Sequence, residues 1–274
     1  MAPAREQTLA GGLWSDGACQ RRAVVRSLDA AECATLLDEH AASLPAQRVT
    51  ALLVAALSSI GDVEHVTAEQ VRDLTIGDRD RLVLALRRLL HGDVLECEFS
   101  CGCGQRLEQT LSVSALLAGC EVEALPDKLT GRTAEGTPVS VRPVTGADHE
   151  RAAVLAQIDP AAARGELLAG CIIDAPTAGD PEIPALAESL LAGHDPAAEI
   201  VLDGECPTCG GRVSATVDPI AHLWTELEQR RVVLESEIHV LALHYHWSER
   251  DIVALPSARR ARYIARLDDR MERR

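Results

Sequence analysis

A cysteine turn occurs twice in this 274-residue chain, and it constrains the fold more than any other feature. The later copy reads Cys206-Pro207-Thr208-Cys209-Gly210-Gly211-Arg212, the earlier Cys101-Gly102-Cys103-Gly104-Gln105-Arg106. A Cys-Pro-x-Cys-Gly turn is a zinc knuckle. Two thiolates chelate one ion, and the glycine takes the positive φ that turns backbone N–H groups toward the sulfurs. Two knuckles complete a closed four-sulfur site, which is structural and leaves no open position for a substrate. The first turn is one residue shorter than the second, and Cys97 lies four residues before Cys101. The expected ligands are therefore Cys206, Cys209 and a pair drawn from Cys97, Cys101 and Cys103, holding one structural zinc ion. The alternatives are a relic turn that packs without metal, and a redox dithiol. The second expects a cysteine pair at the start of a helix, whereas Gly210-Gly211 leads into a β-pattern.

The remaining cysteines, Cys19, Cys33, Cys120 and Cys171, are scattered, which reads as small buried side chains. No basic segment followed by an apolar stretch opens the chain, so a cytoplasmic, thiol-reducing setting is expected. The longest apolar run, 49–60, is too short to span a bilayer, so no membrane insertion is expected. Only six residues are aromatic, so the core must be Leu, Ala and Val, which favours helices. The net charge of −15 argues against nucleic acid as the main partner, because a phosphate backbone needs the opposite sign. No nucleophile elbow, zinc-protease motif or phosphate-binding glycine loop is present, so no catalytic residue is assigned and a non-enzyme is expected.

The cysteine turn is embedded in a longer repetition. Val24-Val25-Arg26 and Val139-Ser140-Val141-Arg142 are each a β-rich segment ending in arginine, followed by a polar turn able to cap a helix. Helices are expected at 34–40, 49–60 and 79–90 in the first half, and at 150–157, 165–173 and 184–191 in the second. Each half reaches its cysteine turn and leaves by an alternating strand. The expected fold is α+β, with two degenerate copies of a strand–helices–knuckle unit forming a zinc ribbon. The alternative is coincidence between short biased segments. Residues 121–138 read as a linker or hairpin and 174–184 as an irregular loop. From Asp218 onward, apolar residues from Ile220 to Tyr245 recur at helical spacing, Ser248 caps a short helix, and a last helix follows Pro256. This gives three expected regions: 1–120, 121–217, and a helical C-terminal arm at 218–274. Tryptophan, tyrosine and arginine gather in the arm, the composition of interface hot spots. Trp247, Ile252, Leu255, Arg259, Arg260 and Tyr263 are the expected partner contacts; the alternative is that such residues lock the arm's three helices against one another.

The segment from Glu237 through His246-Trp247-Ser248-Glu249, Ile252, Leu255-Pro256, Arg259-Arg260 and Tyr263 resembles a helical module of hub-assembly proteins. These belong to T-even-like phages and to extracellular contractile injection systems. Gly12-Leu13-Trp14-Ser15-Asp16-Gly17 and the stretch from Leu74-Thr75-Ile76-Gly77-Asp78-Arg79 to Leu89 resemble baseplate proteins of the same gene clusters. The resemblance covers most of the chain and is weakest at 121–137 and 174–184. It implies a structural protein or assembly chaperone of the baseplate hub. Its partners would be other baseplate, spike or tape-measure proteins, and it would be cytoplasmic or incorporated into an assembled particle. The runner-up is a zinc-ribbon adaptor in nucleic-acid metabolism. A hydrolase, the third reading, would require an open metal coordination position.

Overall fold

A computed structural model describes residues 3–120, 124–174, 181–195 and 197–271. The elements in chain order are β1 (Ala4–Ser15), β2 (Ala18–Arg26), α1 (Ala30–Glu39), α2 (Pro45–Ala56), β3 (Leu57–Ile60), β4 (Val63–Glu64), α3 (Ala68–Asp73), α4 (Ile76–His91), β5 (Val94–Ser100), β6 (Arg106–Ser112) and α5 (Val113–Gly119). The second half continues with β7 (Leu129–Arg132), β8 (Pro138–Val141), α6 (Gly146–Ala156), α7 (Pro160–Cys171), β9 (Ile172–Asp174), α8 (Glu182–Ala192), β10 (Ile200–Glu205) and β11 (Arg212–Val217). Then come α9 (Pro219–Tyr245), α10 (Glu249–Val253) and α11 (Ser257–Met271). The fold is mixed α and β with small antiparallel sheets. None of the described helices is long and apolar enough to cross a membrane.

By internal contacts the chain divides into a larger unit, 1–28 with 42–220, and a smaller one, 29–41 with 221–274. Both cysteine turns fall in the larger unit. The smaller unit gathers most of the expected arm, and also α1 from the first half.

Within the larger unit, the sheets β1-β2-β3-β4 and β7-β8-β9 follow the same plan. In each, a hairpin is followed after an excursion by a strand that pairs with the hairpin's second member. That strand begins directly at the end of a helix opened by a proline, Pro45 in α2 and Pro160 in α7. Proline suits the first helical position because its missing N–H would be unbonded there anyway. Val25 pairs with Leu57 and Val141 with Ile172, and both ladders slip register at that point. The next residue is arginine in both. Arg26 Nη2 donates to the Ala55 carbonyl at 2.6 Å and Arg142 Nη2 to the Gly170 carbonyl at 2.8 Å. Each acceptor lies two residues before the strand that follows its helix. α4 lies on β1 and β2, and α8 on β7 and β8. Leu129, Val139 and Val141 meet Ile183 and Ala187 in the second of these cores.

Two expected helices end early. Residues 57–60 and 172–173 lie in strands, where the apolar run is recruited by the neighbouring sheet before the helix can continue. The stretch 129–141 is a hairpin closed by Thr133 N–H to Thr137 O. Residues 121–123 and 175–180 of the two expected loops lie outside the described residues.

Two helix starts anchor the centre of the larger unit. Thr75 caps α4 and Thr145 caps α6, and the two form an antiparallel bridge, with Ile76 N–H on Val144 O and Gly146 N–H on Leu74 O. Asp78, fully buried, accepts from the amides of Ala10, Gly11 and Gly12 at 2.6, 2.9 and 2.8 Å. Asp148, 2% exposed, accepts both Arg142 Nη atoms, Arg151 and Thr145. Burial works against its charge, but the bonds from Arg142 and Thr145 outweigh it and hold the carboxyl well below the usual range.

In the smaller unit α9 runs unbroken as expected. Ser248 caps α10 by accepting the Asp251 amide, and Arg231 pairs with Asp38 of α1 at 3.0 Å.

Candidate metal centre

Each cysteine turn is the tip of a two-stranded hairpin, β5–β6 or β10–β11. Alternation in Leu95-Glu96-Cys97-Glu98-Phe99 turns Leu95 and Cys97 inward. They join Leu84, Val113, Leu117, Cys120, Ala197, Ile200 and Val217 in one apolar cluster. That cluster takes residues from both hairpins, so their tips converge because their stems share a core. The ladders end at Ser100 opposite Arg106 and Glu205 opposite Arg212. Each closing arginine reaches an acid three residues before the first cysteine: Arg106 to Glu98 at 2.5 Å and Arg212 to Asp203 at 3.6 Å. Sequence inspection did not assign these two ion pairs. The signal was present in the matching offsets of the arginine and the acid from the two turns.

The turns close alike despite their different lengths. In the first, Gly104 N–H binds Cys101 O and Cys101 N–H binds Gln105 O, both below 3 Å. In the second, Gly210 N–H binds Cys206 O and Cys206 N–H binds Gly211 O, each at 2.8 Å. Gly104 and Gly210 have φ of 86° and 69°, and a Cβ on either would meet nothing within 4 Å. Glycine is needed there for backbone conformation, not for space.

The structure brings together Cys101, Cys103, Cys206 and Cys209, whose sulfurs all lie within 4.8 Å of one another. Cys101 Sγ is 3.6 Å from Cys209 Sγ, and Cys103 Sγ is 3.8 Å from Cys206 Sγ. A zinc tetrahedron with bonds near 2.3 Å sets sulfur–sulfur edges of about 3.8 Å, so the cluster can hold a metal ion and is compatible with zinc. The amides of Cys209 and Thr208 point at the Cys206 sulfur and bring its thiol down to about 6. At Cys209 the Gly211 amide also favours the thiolate. The neighbouring sulfurs of Cys103, Cys101 and Cys206 outweigh it and push that thiol up to about 12. The donor set thus offers one thiolate readily and resists the next, the behaviour of a sulfur cluster that a cation would relieve. Cys101 and Cys206 are buried and Cys103 and Cys209 exposed, so each hairpin contributes one inner and one outer sulfur.

Cys97 is not in the group. Its side chain is 3% exposed within the apolar cluster, one hairpin stem away from the turn, because alternation along β5 points it into the core. The shorter Cys-Gly-Cys turn presents both of its own sulfurs, and of the three candidates Cys101 and Cys103 join Cys206 and Cys209 in the cluster. Cys120 and Cys171 are buried, and Cys19 and Cys33 are partly so.

The expected partner contacts in the smaller unit separate into two sets. Ile252 is fully buried and Arg260 is 7% exposed, the latter bound to Glu237 at 2.6 Å and to the Leu255 carbonyl. These two are interior residues that join the arm's own helices, a correction to their expected role. Trp247, Leu255 and Tyr263 are half-buried and Arg259 is exposed. Trp247 stacks on Tyr245 with centroids 4.8 Å apart and meets Tyr263 edge-on at 4.9 Å.

Comparison with known proteins adds no relative: no family model matches the chain, and neither a curated protein nor a solved structure matches it significantly.

Proposed function

We propose that this protein is a structural component or assembly chaperone of the baseplate hub in a phage-tail-like contractile injection machine. In this reading one zinc ion joins two degenerate copies of a single α+β unit as a zinc ribbon. The observation that carries the structural role is the four-sulfur cluster, whose ligands come in pairs from hairpins 103 to 108 residues apart. Four protein sulfurs fill a tetrahedral ion's coordination sphere, so the metal staples the two halves and has no position for a reacting group. The copies are supported by matched details: the proline-opened helices, the register slips at Val25 and Val141, and the arginines that follow them. The baseplate assignment rests on the resemblance of the glycine–leucine–tryptophan, leucine–threonine and histidine–tryptophan–serine segments.

The test is genetic and biochemical. Sheath, tube and spike genes should neighbour this one, and deleting it should abolish intact contractile particles. Mass spectrometry of purified particles then separates a resident component from a chaperone that departs. Normal particle yield from the deletion strain would overturn the reading.

A further inference from the structure

Arg259, Arg262 and Arg266 recur along α11 at spacings of three and four, which puts them on one helix face. All three are exposed, and no guanidinium of the three forms an ion pair with a described residue. The chain as a whole carries 42 acidic residues against 27 basic ones. Glu150 engages Arg72 and Arg79, Asp148 engages Arg142 and Arg151, and Glu188 engages Arg164. Even Arg260, next to Arg259, is neutralised by Glu237. Beside the unpaired row lies the aromatic group of Tyr245, Trp247 and Tyr263, each ring half-buried and held by the other two. Rings already fixed in place lose little freedom on binding, and arginine forks match carboxylates two bonds at a time.

We propose that this face of α11 is a docking surface for an acidic protein segment. Charge selects the class of partner. The larger unit holds 29 acidic and 17 basic side chains, a net −12, against 13 and 10, a net −3, in the smaller. The chain's net charge of −15 disfavours a nucleic-acid backbone, whereas a short acidic segment need engage only the arginine row. The proposal requires a carboxylate-bearing partner of any origin and stands apart from the baseplate assignment.

The test uses the full-length, zinc-loaded protein with two fluorescent probes, poly-L-glutamate and a short duplex DNA, at low salt. Charge reversal of Arg259, Arg262 and Arg266 to Glu should weaken poly-L-glutamate binding about tenfold, as expected for three exposed charge pairs. The same charge change at exposed Arg5, Arg22 and Arg132 should weaken it less than about twofold. The milder change of the three α11 arginines to Gln repeats the measurement should charge reversal disturb the helix. Four results would overturn the proposal: no poly-L-glutamate binding by the native protein, equal losses in both triple variants, no loss in the α11 variants, or tighter binding of DNA that the α11 changes abolish.

Discussion

Arg26 and Arg142 stand at the same place in two sheets, and Arg142 meets the buried carboxylate of Asp148. Both reach back to a carbonyl near the end of the helix that precedes their strand's partner. In the second half, Asp148 at the third position of α6 turns onto Arg142 with two bonds. In the first half the residue at that place is Glu32, whose carboxylate accepts the Asp29 amide and completes a capping box on α1. The first half buries another acid instead, Asp78, on backbone amides of β1. The strand plan is shared while the interior charges are placed differently. Backbone topology therefore tolerates a change of ionic partners, provided each buried charge keeps its hydrogen bonds.

The cysteine hairpins extend the comparison, and the largest effect is expected there. Cys206→Ser should abolish binding of the proposed zinc ion and destabilise the protein by more than about 5 kcal/mol, because metal affinity in such sites is folding energy. Cys97→Ser should retain one equivalent of zinc and cost about 2 kcal/mol, the penalty of a hydroxyl in an apolar cluster. Elemental analysis with chemical denaturation distinguishes them, and zinc loss from the Cys97 variant would return that residue to the ligand set.

Asp148→Asn should cost about 3 kcal/mol at neutral pH, since it leaves Arg142 partly buried without its counter-charge. Arg26→Gln, which removes the bond to the Ala55 carbonyl, should cost about 1 kcal/mol. The pH dependence has a definite sign. The folded-state pKa of Asp148 lies below the ordinary carboxylate value of 3.8, so its contribution is present above that value and fades as pH falls further. Stability curves of the native protein and the Asn variant should converge in acid, and equal spacing at all pH values would contradict this assignment.

An effect of similar size tests whether the two turns are equivalent. Gly104→Ala and Gly210→Ala should each cost about 1–2 kcal/mol, the strain of an alanine at positive φ. Equal losses in thermal melts support one strained position per turn. A loss at Gly210 alone would show that the shorter turn accommodates a side chain by another route.

Much of the metal centre was legible because its chemistry is local. Cysteine spacing, the following glycine and the closing arginine lie within a few residues of one another. Cys97 was misjudged as a spare ligand because its spacing was read without its strand: Glu96 and Glu98 mark the outward face and assign Cys97 to the other. The helices α4, α6 and α9 followed from periodicity and caps. The junctions at Ala56–Leu57 and Cys171–Ile172 did not, because no turn residue separates helix from strand and only pairing with β2 or β8 decides the change. The long β1 strand was missed apart from its glycine–leucine–tryptophan end. Its Gly11-Gly12 irregularity serves the Asp78 carboxylate, a contact 66 to 68 residues away that local pattern cannot reveal. In the arm, composition could not tell the interior Arg260 from the exposed Arg259.

The distance along the chain between the two sulfur pairs also sets a clock on synthesis. When Cys103 is added to the chain, its partner Cys206 is still 103 residues from being made. At ~5–20 residues per second the first pair waits roughly 5–20 s before the site can close. During that interval the nascent chain carries two thiols on a hairpin whose apolar cluster still lacks Ala197, Ile200 and Val217. In the proposed reading, all four sulfurs can close on an ion only after Cys209 has been translated.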